Sequence, residues 1–407
     1  MTFLLLLAAA CGLREAEEEP SAPGPTLVAS EGLAADRAAT AQFLETRPHY
    51  EQPLDEGLKP VPGLPDLSAE TCGTCHPALY AEWSVSTHAA AWTDPQFQAE
   101  IGKSGNRWLC LNCHTPLLVQ HDLLPRGLTD GDVELPVLAP NPAFDPKLRE
   151  EGITCAGCHV RDGAIHGPGL GGDAPHPVVA DATFRTSEQC ERCHQAEAVY
   201  PGKSFVCTFQ TGDEWRAGPW DERGKTCQTC HMPEIERPAA TGAPTRVVRQ
   251  HWWRGAGIPK FAGVHPPPEA NPPGLDVQAS PLDDRLQVTL TNANAGHMLP
   301  SGDPERWIQV DVSFIDAGGQ TVDTWSHRIG QTWEWTSPPQ KVADNRLEPE
   351  EVRVETLEVP ESAVHASITA SSHRISKKNA DYHHLGDYPR SIVTHQLEIA
   401  LPDRARQ

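Results

Sequence analysis

"TCAGCHVRDGAIHGP", residues 154–168, sets Cys155 and Cys158 two residues apart with His159 directly behind them. The unit recurs at four other places: Cys72-Cys75-His76, Cys110-Cys113-His114, Cys190-Cys193-His194 and Cys227-Cys230-His231. Ten of the 12 cysteines are used this way. CxxCH is the attachment signature of c-type haem. Two thiols can each take one vinyl group of the ring, and the histidine behind them sits under the iron. Zinc also uses CxxC pairs, but zinc does not call for a histidine directly after every pair. Disulfides within the pairs leave the histidines without a role. The expected cofactor is therefore haem c, five copies covalently attached.

The motifs start 35 to 45 residues apart, so five haems share about 160 residues. Such a segment cannot wrap a conventional apolar core around each haem. The haems themselves must form the core, packed closely enough for electron transfer between them. The remainder of the 407 residues fits this reading. Proline (39) and glycine (32) are abundant, aromatics are only 6%, and 11 of those are Trp. A net charge of -22 argues against nucleic acid and anionic membrane surfaces as partners. Mean hydropathy of -0.45 excludes a bundle of membrane spans.

The one long apolar run, Phe3 to Ala10, is too short to span a bilayer but suits an export signal. It ends in "LAAAC", which predicts a lipoprotein signal over 1–11 with Cys11 as the lipidated residue, although no Lys or Arg precedes the run. A plain cleaved signal is the alternative. Gly12 after Cys11 points to the outer membrane or the cell surface, on the periplasmic side.

Residues 12–65 read as a flexible acidic and Pro-rich tether with a short helix over 31–47, ended by Pro48. Residues 66–255 form the pentahaem module, expected to be mostly helix and loop. Within it, 127–146 reads as a surface loop. Residues 256–279 are a Pro-rich linker. From 280 to 402 the apolar period becomes two, as in Leu286-Val288-Leu290 and Ile308-Val310-Val312-Phe314. This predicts a small antiparallel β-sandwich that caps or braces the module.

Each iron has a second axial position. Fourteen histidines lie outside the motifs and only three methionines exist, so histidine on both faces is the default. The candidates are His88 on a helix after the first motif, His176 in a Pro-flanked loop, His251 in "RQHWWRG" and His297 in "NAGHMLPSG". His166 is a weaker one. Cys207 reads as a buried free thiol.

"CGTCHPALYAEWSVSTHA", "GITCAGCHVRDG", "FQTGDEWRAGPW", "TCQTCHMP" and "QHWWRG" resemble the multihaem cytochromes of the cytochrome c-554 and c-prime family, and "GHMLPSGDPERW" is similar to a β-domain loop appended to related cytochromes. The resemblance covers roughly 70–395. It implies electron transfer, with His88 and, by position, His176, His251 and His297 as distal ligands. The family's name-bearer carries four haems, so the ligand pattern does not transfer wholesale to five motifs.

Two functions follow. The first is an electron carrier in the cell envelope, whose partners are other cytochromes or a quinol-linked complex, with a lipid anchor in the membrane. The alternative is an oxidoreductase with one open haem, acting on nitrite, hydroxylamine or tetrathionate. Related multihaem nitrite reductases often mark that haem with Lys in place of the motif histidine, and no motif here does so.

Overall fold

In a computed structural model, the described residues are 24–402 apart from 55–58, 103–106, 170–173, 201, 204–205, 262–271 and 335. Cys11 and the expected signal lie outside them.

Every motif forms a short helix: Ala69–Cys75, Arg107–His114, Cys155–His159, Glu188–His194 and Cys227–His231. The helical turn sets both cysteines of a pair, three positions apart, on one face. Local chemistry starts these helices. Ser68 caps the first by accepting from Thr71 N–H, and Thr226 and Thr229 cap the last reciprocally.

The expectation of a mostly helical and looped module is overturned: 26% of the residues are helical and 33% lie in strands. Small sheets occupy three of the four intervals between motifs, and a hairpin follows the fifth motif. One has strands in the order Thr26–Leu27, Pro136–Pro140, Leu123–Leu128, so parts of the stretch read as a surface loop, 127–128 and 136–140, are sheet. Another joins Val160–Arg161, Ala164–Gly167 and Val178–Ala180. Two hairpins pair Gln195–Val199 with Val206–Gln210 and Glu234–Pro238 with Thr245–Arg249. The physical reason is backbone satisfaction. Each interval must cross the protein beside a large cavity, and a ribbon pairs its own N–H and C=O groups where a bare loop would leave them unmet. Residues 33–44, within the expected tether, form a helix whose end, Leu44, is 1% exposed against Trp108 and Leu109.

Beyond residue 274 lie two antiparallel sheets. Strands Leu275–Leu282, Arg285–Asn292 and Val352–Glu358 make the first. The second has the order Gln340–Asp344, Thr321–Glu334, Trp307–Asp316, Ala363–His373, Ser391–Ala400. Leu286, Val288 and Leu290 from one sheet and Val310, Val312, Phe314 and Ile368 from the other enter a single buried cluster. The alternation that puts them there is the period-two repeat of these strands. Polar contacts tie these sheets to the motif-bearing part. Arg346 pairs with Glu214 at 2.6 Å, both nearly buried, and Arg223 with Glu350 at 2.5 Å.

Leu290→Ala would open a cavity in a fully buried site and is expected to cost about 2–5 kcal/mol. Denaturant unfolding of the mutant measures this.

Candidate cofactor cavity

One continuous cavity of about 2820 Å³ runs through the motif-bearing part and reaches the C-terminal sheets. A single drug-sized ligand takes roughly 300–1,000 Å³, so this space suits several large cofactors. All ten motif cysteines and all five motif histidines line it. So do His88, His166, His176, His251 and His297. The sequence candidates thus converge on one space.

The imidazoles are held in one tautomer. The Nδ1–H of His76 donates to Ala239 O (2.7 Å), that of His114 to Ala91 O (2.8 Å), and that of His159 to His166 O (2.7 Å). His231 donates likewise to Arg254 O (2.9 Å), His251 to Arg249 O (2.9 Å) and His297 to Met298 O (2.8 Å). A carbonyl only accepts, so Nε2 is left as a lone-pair donor on each ring, the arrangement that metal-bound histidines use. Burial pushes His88 and His251 down to about 3, and His114 and His194 to about 4. It also lowers His159, His231 and His297. These rings are neutral, the form that ligates metal.

Three pairs of rings face each other at nearly one spacing. His88 and His194 have centroids 6.4 Å apart, His159 and His251 6.2 Å, and His231 and His297 6.3 Å with planes 6° from parallel. A metal bound by both Nε2 atoms at about 2 Å separates two imidazole centroids by roughly 6 Å. Each pair joins a motif histidine to a histidine named from the sequence. Among the described residues, neither His76 nor His114 has such a partner. His114 stacks instead on Phe97, at 3.7 Å and 3°. His176 has a buried Nδ1 with no hydrogen-bond partner. His166 is in ion-pair range of Asp181 (3.2 Å) through Nδ1. His88 lies in a turn beyond the helix Pro77–Ser84, not on it. The thiol of Cys207 borders the cavity and burial pushes it up.

The order of the motifs is now visible. The Cys155 thiol lies beside Cys72, Cys190 beside Cys227, and Cys193 beside Cys113, each near enough for one thiol to act on the other. Cys158 and Cys193 lie close enough to interact electrostatically. Glu151 accepts from Ala69 N–H (3.0 Å) and Thr154 Oγ1 (2.5 Å), bracing the first motif against the third. Gln228 donates to Thr186 O (2.6 Å), bracing the fifth against the fourth. The sequence of contacts is first, third, fourth, fifth, with the second branching from the fourth. Among the motif cysteines only Cys75 and Cys230, on the two end motifs, are exposed.

Residues without a sequence signal complete the site. Glu82 is buried and pairs with Arg237 through two bonds of 2.6 and 2.8 Å. It also accepts from the His251 N–H at 2.8 Å. Trp253 lies 4.6 Å from His88 and 5.0 Å from His251. Glu82→Ala strands Arg237 beside the cavity and frees the His251 backbone, and should cost about 3 kcal/mol, with Glu82→Gln costing less. Thermal and denaturant unfolding of both variants checks the ranking.

No family model and no curated protein matches the chain. Among solved structures, it is similar to the penta-heme cytochrome c552 from Thermochromatium tepidum, with a TM-score of 0.57, 19% identity, and coverage of 82% of this chain and 98% of that one. A second match, from Bacteroides fragilis, aligns over 31% of this chain at a TM-score of 0.14, too low to carry an argument. The chain therefore shares the fold of a multihaem cytochrome c.

Proposed function

We propose that the chain carries five covalently attached c-type haems and passes electrons between partners in the cell envelope. The observation that carries this reading is the set of three facing histidine pairs at metal spacing, in one cavity that all five CxxCH units line. When bound, each haem supplies an iron that takes up and releases one electron.

Every other element of the reading concerns the chain itself. The motif cysteines hold the rings by thioether bonds. His159 with His251, His194 with His88, and His231 with His297 would hold three irons between two imidazoles each. Such ligation favours lower potentials than His/Met ligation does. His76 would hold a fourth iron, with His176 or His166 as its second ligand. His114 would hold the fifth, with no histidine opposite it among the described residues. Electrons would pass from the first motif through the third and fourth to the fifth. Cys75 and Cys230 mark the ends where partner proteins reach the rings. The c-554 and c-prime resemblance supports electron transfer, and the C-terminal sheets would brace the module. Cys11 would anchor the chain to the membrane, on the periplasmic side. The partners would be other cytochromes or a quinol-linked complex.

A second reading, an oxidoreductase with one open haem, concerns His114, which no histidine faces among the described residues; His265 lies outside them.

Haem counted by the pyridine haemochrome assay on matured protein should give five per chain, and a lower count would overturn the five-haem reading. His88→Ala, His251→Ala and His297→Ala should each keep that count and convert one low-spin haem to high spin in EPR. A histidine with only a structural role would leave the spin states unchanged.

A further inference from the structure

Three cations held in or near the interior each have a named acid opposite them. Arg346 has Glu214, Arg237 has Glu82 and Lys260 has the buried Asp94. Asp94 also accepts from Tyr388 OH at 2.8 Å. The buried Arg374 spreads its donors over Tyr388 OH at 2.6 Å and the carbonyls of Pro259 and Ile258. Arg306 departs from all of these. Its side chain lines the cavity, and burial pushes its guanidinium below the ordinary value. Among the described residues that guanidinium has no hydrogen bond and no acid at ion-pair distance. Asp303 acts on it only from farther away, and Oδ1 of that acid already accepts from Glu305 N–H at 2.8 Å.

The backbone holds Arg306 where it is. Its own N–H donates to Asp303 O at 3.0 Å, closing a turn. Gly302, at φ +90°, leaves room for the guanidinium, whose Cζ would lie 3.8 Å from a Cβ placed there. The loop that ends at Arg306 comes from the C-terminal sheets and also carries His297, which faces His231 of the fifth motif. Midway along it, Ser301 Oγ shares a hydrogen bond of 2.8 Å with Thr211 Oγ1 and donates to Glu214 at 2.5 Å. Both partners lie on the helix Thr211–Ala217. That helix packs on the fourth motif: Arg216 pairs with Glu191, and Gln195, directly after His194, donates to Asp213 at 2.7 Å. The loop is thus docked beside the fourth motif, and the charge of Arg306 acts on His194.

A desolvated cation without a counter-charge is costly, so Arg306 is placed to meet an anion. Haem c brings its own. The cysteines take the vinyl groups of the ring, and two propionate carboxylates remain free on it. An arginine fork matches a carboxylate through two parallel hydrogen bonds.

We propose that Arg306 is the counter-charge of a propionate on the haem held by Cys190, Cys193 and His194, and that it thereby sets the potential of that haem. The proposal rests on haem attachment as proposed above. The fourth motif is the junction at which the third, fifth and second meet, so the C-terminal sheets act through Arg306 on the point where the chain of haems divides. Without the cation, the propionate charge is uncompensated and favours the oxidised iron, so the midpoint potential falls.

The test uses the matured protein, with the haem count taken first and His88→Ala as the background. That substitution marks the fourth haem by turning it high-spin in EPR. A count below five, or no such signal, sinks the haem reading and its ligand pairs, and this proposal with them. With the marker in place, the high-spin signal is followed in a potentiometric titration. Arg306→Gln should shift the one-electron equilibrium of the marked haem about tenfold toward the oxidised form, a midpoint lowered by about 59 mV. Arg306→Met, also neutral, should match it, and Arg306→Lys, which keeps the charge, should shift it less. The role of Arg306 is overturned, with the haem reading intact, if the marked midpoint stays in place in the neutral variants. It is equally overturned if the shift falls on another haem, or if Arg306→Lys shifts the midpoint as far as Arg306→Gln does, the result for an arginine that only packs.

Discussion

The N–H at Nδ1 of a histidine can be given away once. In six of the cavity's imidazoles it goes to a backbone carbonyl, and this one commitment organises much of what surrounds it. It fixes the tautomer, aims the remaining nitrogen inward and demands that a particular carbonyl be presented at a particular place. The small ribbons supply two of those carbonyls. His166 O belongs to the strand Ala164–Gly167, and Arg249 O to the end of Thr245–Arg249. The small sheets are therefore part of the ligand geometry, not filler between helices.

Charge follows the same logic of fixed partners. The chain is acidic overall, yet its interior ion pairs are individually assigned. Glu82 binds Arg237 and the His251 backbone together, and Arg346 joins Glu214 across to the C-terminal sheets. Burying such pairs buys little net stability, because desolvation offsets attraction. Their effect is positional: removing one member leaves a buried charge unmet, so each pair pins two segments relative to each other. Lys260 follows the pattern by pairing with Asp94, whereas among the described residues no acid lies at ion-pair distance from Arg306.

What could be read from sequence was what is local. The CxxCH units are contiguous, and their helices form from their own caps. The alternation of Leu286, Val288 and Leu290 is likewise a property of one strand. His88, His251 and His297 could be named as candidates from their flanking residues, but their partners could not. The facing of His88 with His194 spans more than a hundred residues and has no local trace. The small sheets were illegible because strands of two to six residues hold too little alternation to reveal a period. The Asp94–Lys260–Tyr388–Arg374 network was invisible for a different reason. Each member looks like an ordinary surface residue until three distant segments converge.

The histidine pairings cross the chain in both directions. His88 lies ahead of the motif it faces, while His251 and His297 lie behind theirs. A chain made from its N-terminus presents His88 long before Cys190 and Cys193, and cannot offer His297 to His231 until the first C-terminal strands have followed. Covalent attachment at the motifs is local and can proceed one at a time. Closure of the second axial positions is non-local and must wait for loops of tens to a hundred residues to shut, which is slow relative to local structure. Biogenesis of the proposed haem-bearing protein would thereby divide into a stepwise phase of ring attachment and a late, collective phase of ligation. Between them the nascent protein would carry irons open to whatever small ligands the compartment contains.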